Sequence, residues 1–559
     1  MGFKQDDAEL EGRTSVDNWA AILMLVVFFA TTIIIIFPFR VPIPRAGIAL
    51  AHEALVYCCI VEPAREPLHR VYLPVNFLTV PLFSVLLLLA AQVIDGTVVR
   101  RGVVGADGVQ PLDIMALFIS LAYISISLDA TGLLRFLAFW VARKGGSSGR
   151  LLHFYLYAFF LVCGVIVGND PVILSGTAFL AYLTRISGIT PPTAWIFSQF
   201  TAANMASAVL VSSNPTNLVL SGAFSLSFLT YTSSLILPFL FAAVFAYPFL
   251  IGVLFRSPDL IPPTIDLPED DDHNAGINNP SAALIDKAGA IFGSVLMLVT
   301  LGVLVGTSVI GVPVWEITVP PALVMLGRDV WYDWTHHRDS LRAPTDANTE
   351  IEMPEIKADD VQQVPPPKVK ARRTLSSMLS MQRLTDTFPT VHNIAQRLPV
   401  GLVPFAFLMF ILVQGLSSQG WVLVFAGWWH SWADKTGVVG AVLGMVIGAG
   451  LLCNICGTNI GTTILLARML QEWDSSAQPS AGMRYAAIYA LALGSNYGAF
   501  TLTFSASLAG LLWRDILRQK GIHVRRVQFA VLNAGTFVIA SVVSGAVLIG
   551  QTYVVHGGQ

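Results

Sequence analysis

Apolar residues run for tens of positions at a stretch along this chain, and polar residues collect in the intervals between the runs. Ten runs approach the roughly 20 residues that a helix needs to cross a bilayer: 19 to 38, 76 to 94, 113 to 128, 193 to 220, 226 to 255, 287 to 311, 312 to 327, 399 to 417, 483 to 508 and 527 to 550. Two further apolar segments, 151 to 187 and 436 to 471, carry a polar or glycine-rich break at mid-length, "VGNDPVILSG" and "LCNICGTNIGTT". Each predicts a re-entrant hairpin, because non-helical backbone at membrane depth is tolerated only where it is buried in protein or lines a watery cavity. Two of the ten runs are themselves interrupted, by "SSNPTN" at 212 to 217 and "GSNYGA" at 494 to 499.

Composition agrees with the pattern: 54% of residues are hydrophobic, 12% are charged and the mean hydropathy is +0.67, outside the soluble range. The chain is therefore read as an all-α integral membrane protein, of a plasma or organelle membrane, with about ten spans and two hairpins. The first run follows an acidic leader (Asp6, Asp7, Glu9, Glu11) and lacks a basic flank and a small-residue cleavage site, so it reads as a span and not as a signal peptide. Five cysteines, mostly inside apolar runs, argue against a disulfide framework.

The net charge of -2 says little, but its distribution does. Lys and Arg cluster in 40 to 75 (Arg40, Arg45, Arg65, Arg70), 143 to 150 (Arg143, Lys144, Arg150), 328 to 398 and 514 to 526 (Arg514, Arg518, Lys520, Arg525, Arg526). Ten spans and two hairpins put all four clusters on one side, which the positive-inside rule makes cytoplasmic, and both termini on the other. Arg100 and Arg101 are the main exception. The polar, Pro-containing stretch 328 to 398 reads as a cytoplasmic linker, and "RRTLSS" within it is a candidate kinase motif.

An internal repeat divides the chain into 1–111 (N-terminal helices and scaffold), 112–255 (repeat 1), 256–398 (two helices and the linker) and 399–559 (repeat 2). "SLDATGLLRFLAFW" resembles "GLSSQGWVLVFAGWW", each predicting a short interfacial helix before a hairpin. Asn169 then answers to Asn454, and "SSNPTN" to "GSNYGA". The topology makes the repeats inverted, the plan of many secondary transporters with a solute site at the midplane. A proline kink made for packing is the alternative for any single break; four in symmetric order favour a solute site.

These stretches also resemble a family. "LDATGLLRFLAFWVAR", "VGNDPVILSG", "SSNPTNLVLSG" and "GSNYGAFTLTFSASLAGLLWRDILRQKGI" are similar to segments of the arsenical pump membrane proteins, in the citrate-transporter-like ion transporter superfamily. The resemblance implies an elevator-type secondary-active carrier, and a homodimer as its oligomer. It places the substrate and ion site on the hairpin tips, Asn169, Asp170, Pro171 and Asn454, Gly457, Thr458, Asn459. To these it adds the unwound breaks, Ser213, Asn214, Pro215, Thr216, Asn217 and Gly494, Ser495, Asn496, Tyr497, Gly498.

Among these residues Asp170 is the candidate for coupling, since an acid at membrane depth usually marks an ion or proton path. It also reads as a helix N-cap, with Pro171 at the first helical position. Cys453 and Cys456 would suit a soft metalloid, but a spacing of three with no further ligand is a weak metal signal, and buried cysteine commonly only packs. Asp129 reads as a cap for the helix after the third run, and Arg468 with Glu472 as an interfacial ion pair. No Walker loop, GxSxG or HExxH points to an ATPase or hydrolase, and nothing points to a cofactor or nucleic acid. The function expected is proton- or sodium-coupled movement of a small anion or metalloid, arsenite or antimonite efflux first, with a carboxylate carrier and an ion channel as the rival readings.

Overall fold

The computed structural model describes residues 16–44, 72–105, 109–265, 280–307, 312–342 and 387–557, with a few single positions between. The described chain is almost wholly helical, and eight of its helices are long and apolar enough to cross a membrane. Six of these fall on runs identified above and two are arms of the hairpins. The 76–94 run is shorter than expected: α2 (Thr79–Ala90) follows α1 (Trp19–Ile36), and the chain turns at Gln92 before α3 (Gly96–Val104), whose amides at Thr97 and Val98 are capped by Asp95. A two-stranded ribbon, β1 (Phe39–Pro42) with β2 (Tyr72–Val75), joins α1 to α2. Arg45, Arg65 and Arg70, and the "RRTLSS" motif, lie outside the described residues.

Repeat 1 consists of α4 (Pro111–Ala130), a short helix α5 (Leu133–Gly145), a hairpin α6 (Gly149–Ile166) and α7 (Asn169–Ile186), a broken helix α8 (Thr193–Ala206) and α9 (Pro215–Ala223), and a closing span α10 (Phe228–Phe249). The linking helices are α11 (Lys287–Thr307), α12 (Val314–Arg342) and α13 (Pro389–Arg397). Repeat 2 follows the same order: α14 (Leu402–Ser418), α15 (Trp421–Leu452), α16 (Asn459–Ala477), α17 (Ala481–Tyr497), α18 (Leu508–Gln519) and α19 (Arg526–His556). In α15 the short helix and the first hairpin arm are separated only by Gly437, at φ 63°, the counterpart of Gly146 at φ 59°. The hairpin tips likewise turn on Gly168 (φ 95°) and Gly457 (φ 88°), a backbone region that disfavours any side chain.

This geometry shifts the internal alignment. Helices α7 and α16 begin at Asn169 and Asn459, so Asn459, and not Asn454, is the counterpart of Asn169. The second tip, 453 to 458, is simply longer than the first, 167 to 168. The breaks run from 207 to 214, earlier than the first motif suggested, and from 498 to 507, later than the second, so Gly494–Tyr497 complete a helix and Pro215–Asn217 begin one. Asn214 and Ser507 are the matching N-caps, in nearly the same extended conformation (φ -153°, ψ 139° and φ -147°, ψ 156°). The two motifs share a Ser-Asn pair, but cap geometry decides which residues correspond.

The polar linker also begins later than its composition suggests, because α12 continues through Arg342 and α13 resumes at Pro389. Asp329 and Asp333 in this extension are buried and hydrogen-bonded, which is what holds it helical against α4 and α13.

Between membrane helices the hydrophobic effect supplies little drive, so close packing carries association. The two repeats lock through aromatic rings: Phe200 of α8 stacks on Trp513 of α18 at 4.6 Å and meets Phe529 of α19 edge-on at 5.8 Å. Where backbones cross, glycine is required. A Cβ on Gly494 would lie 2.5 Å from the Val446 carbonyl oxygen, whereas one on Gly427 meets nothing. Gly494→Ala is expected to destabilise the protein by about 1–3 kcal/mol, read as a lower melting temperature in detergent, while Gly427→Ala leaves it unchanged.

Candidate functional site

Opening a helix at membrane depth frees amides and carbonyls that need partners. In the first break Asn217 supplies two, its Nδ2 donating to the carbonyls of Ser207 (2.6 Å) and Leu210 (2.8 Å). Asn214 caps α9 by accepting from the Thr216 amide (3.2 Å), and Pro215 occupies the first helical position, where no amide is needed. Ser213 fastens the break to the first hairpin by donating to the Val165 carbonyl (2.7 Å). The second break is fastened to the second hairpin by Asn454, whose Oδ1 accepts from the amide (3.0 Å) and hydroxyl (2.9 Å) of Thr503, and whose Nδ2 donates to Thr501 (2.6 Å).

The breaks meet at Asn496, in the last turn of α17 and fully buried. Its Oδ1 accepts from Ser207 Oγ (2.9 Å) and Asn214 Nδ2 (3.0 Å), and its Nδ2 donates to Asn217 Oδ1 (2.7 Å) and the Ala492 carbonyl (2.8 Å). All the hydrogen-bonding capacity of one amide is used, three parts of it on the opposite repeat. Asn204, near the end of the corresponding helix α8 in repeat 1, accepts from Asn169 Nδ2 at 3.4 Å and so reaches the first hairpin tip.

Between that tip, the first break and α4 lies a cavity of about 30 Å³, lined by Ser125, Asn169, Asp170, Ser212, Ser213 and Asn214 among others. Asp170 is the charged residue of this lining. It does not cap α7: Gly168 holds the cap position, Asn169 is the first helical residue, Pro171 the third, and no side-chain cap bond is made. The carboxylate instead stands in the first turn, where the helix dipole favours negative charge, and accepts no hydrogen bond from a described residue.

Residues 19–494 match the sequence profile of the family described as citrate transporter. The chain belongs to the citrate transporter family. Curated relatives include the arsenical pump membrane proteins of Escherichia coli, 25% identical over 73% of this chain and 79% of theirs, and of Yersinia enterocolitica, 23% identical with the same coverage. Among solved structures, the Alcanivorax borkumensis YdaH transporter is similar with a TM-score of 0.49 and 14% identity, over 96% of this chain and 98% of its own. Neisseria gonorrhoeae MtrF gives 0.47 and 11%, over 95% and 93%. This member of the citrate transporter family is an integral membrane transporter.

Not every residue singled out in the sequence joins the polar centre of this transporter. Thr216 does, through Asn217 Oδ1 (3.3 Å), but Gly457 packs against Thr32 and Ile35 of α1. Thr458 caps α16, accepting from the Gly461 amide (3.3 Å), and the Asn459 carbonyl accepts from Thr463. Ser495 donates to Ala492 within its own helix, Tyr497 is fully buried, and Gly498 makes room for Cys453. Cys453 donates to the Ala449 carbonyl (3.1 Å), and both it and Cys456 are packed away from the cavity. Arg468 donates to Gln471 (3.2 Å). Asn204, Ser207, Thr501 and Thr503 were missed, although polar residues recurring on an apolar helix before a break are themselves a signal.

Asn496→Ala would take one hydrogen bond from each of Ser207, Asn214 and Asn217 and leave the buried Asn214 Nδ2 with only a long contact to Ser207, at a cost of about 1–3 kcal/mol. Solute flux in proteoliposomes is expected to fall more than tenfold, with a lowered melting temperature. Asn454→Ala leaves this centre intact and is expected to be milder.

Proposed function

We propose that this transporter is a secondary-active carrier that uses a proton or sodium gradient to move arsenite or antimonite out of the cytosol. The observation that carries the reading is the chemistry of the cavity and the joined breaks. Amides and hydroxyls of Ser125, Asn169, Ser212, Ser213 and Asn214 line the cavity together with one carboxylate, Asp170, and no Lys, Arg or His is among the described lining residues. Arsenite near neutral pH is an uncharged trihydroxide, whose hydroxyls both donate and accept as this set does. A citrate would bring several negative charges toward an acid without a cationic partner. The arsenical pump names of the relatives support the same solute.

Asp170 is then the residue for the coupling ion, exchanging a proton or ligating sodium while the neutral groups hold the solute. Movement of the hairpins and broken helices against the remaining helices would carry both across, in the elevator manner. The family's description favours one second reading, a carboxylate carrier, in which a cation bound at Asp170 would offset the anion's charge.

Purified protein in sealed vesicles, given arsenite with and without an imposed proton or sodium gradient and with citrate as competitor, decides between them. Uphill arsenite accumulation that collapses with the gradient is expected, and Asp170→Asn is expected to abolish the uphill component. Citrate accumulation without arsenite flux would move the protein to the carboxylate reading. Flux of either solute that only follows its own gradient would make it a channel.

A further inference from the structure

Asp129, in the last turn of α4, is buried and joins three separate elements. Its Oδ1 accepts from Ser175 Oγ of α7 at 2.5 Å, and its Oδ2 from Arg397 Nη1 of α13 at 3.2 Å. It is not the cap of α5, which begins after Gly132 without a side-chain cap. Arg135 of α5 adds a more distant attraction. A second acid, Asp329 of α12, is held beside it on the same end of α4 by Tyr123 (3.0 Å), Ser127 (2.6 Å) and Arg328 (3.2 Å). Asp333 accepts from the Thr390 and Val391 amides (2.9 and 3.0 Å), so α13 is seated by an acid at each end.

Ser175 lies five residues beyond Asp170 on the same helix, about a turn and a half from the hairpin tip. The same face of α4, a turn or more before Asp129, supplies Phe118, Leu121, Ala122 and Ser125 to the cavity that the tip closes. The hydroxyl–carboxylate bond thus holds the hairpin against the wall of its own cavity, and a hairpin that opens away from α4 has to break it. Arg397 does not lie on the hairpin, and its contact with Asp129 survives that movement. It keeps the buried carboxylate paired and aimed at Ser175, without which the charge would be costly.

We propose that Asp129 is a positioning residue that latches the first hairpin closed through Ser175, and that Arg397, at the end of the helix following the linker, sets the strength of the latch. The proposal rests on the reading that the hairpin moves during transport. Its test uses Ala122→Cys as a reporter in the full chain with native cysteines replaced, reconstituted in liposomes and labelled with a water-soluble maleimide. Ser175→Ala and Arg397→Gln are each expected to speed labelling about tenfold, as loss of a hydrogen bond to a charged group does. Ser175→Thr, which keeps the hydroxyl, restores the slow rate, and the double variant labels no faster than Ser175→Ala.

Unchanged labelling in variants that melt at the parent temperature would overturn the latch. So would faster labelling in Ser175→Thr equal to that in Ser175→Ala, because the effect would then be one of packing. A reporter that ignores arsenite, citrate and ion gradients in the parent would instead count against the carrier reading, while the serine comparison still decides the latch.

Discussion

The polar centre of this protein follows from one constraint: backbone freed from a helix inside a membrane has to find its hydrogen bonds within the protein. Two broken helices and two hairpins each expose such groups, and the cheapest place to satisfy one set is against another. Asn496 is where this condition is met most fully, a single amide from repeat 2 holding Ser207, Asn214 and Asn217 of repeat 1. The breaks therefore have to lie together, and the hairpin tips fasten to them through Ser213 and Asn454. The aromatic rings of Phe200, Trp513, Phe504 and Phe529 close around the second break and keep it from lipid.

The same constraint explains why the repeats are alike in path and unlike in chemistry. Backbone demands are equal, so both repeats place a left-handed glycine at the hairpin tip and an oxygen-bearing cap after the break. Side-chain demands are not. The first hairpin carries Asp170 at the position where the second carries Ile460, and the second tip spends its extra residues on packing, with Gly457 against α1 and Cys453 against Gly498. One half thus holds the cavity with its ionisable group, and the other supplies the amide that fixes the geometry of the first.

This division marks what was legible in the sequence. Apolar runs, breaks and the repeat were visible because hydrocarbon imposes them residue by residue, and the hairpins and broken helices fall within the marked segments, with each break displaced by several residues from its motif. The register between the repeats was not, because identity matched Ser-Asn to Ser-Asn while the fold matches cap to cap, Asn214 to Ser507. Asp170 stood out as an acid in an apolar segment, yet its sequence context of Asn-Asp-Pro read as a cap that the glycine before it takes instead. Ser207 opens the first break, and only the path of the other repeat, which brings Asn496 to it, gives it a role. Asp129, Ser175 and Arg397 lie in three distant stretches of chain, and no local pattern announces their meeting.

Those distant contacts also change how the region between the repeats is understood. By composition it is a tether, but its two ends are helices seated by buried acids, Asp329 and Asp333 on one side and Asp129 on the other. An ion pair removed from water gives little net stability, because desolvation offsets attraction, yet losing one partner is costly. Such pairs therefore contribute less to holding the fold together than to fixing which surfaces meet. Here the surfaces are α4, which walls the cavity, α7, which carries its acid, and α13, which enters the second repeat. The connection that makes two repeats into one chain is thereby tied, through Asp129, to the helix that carries Asp170.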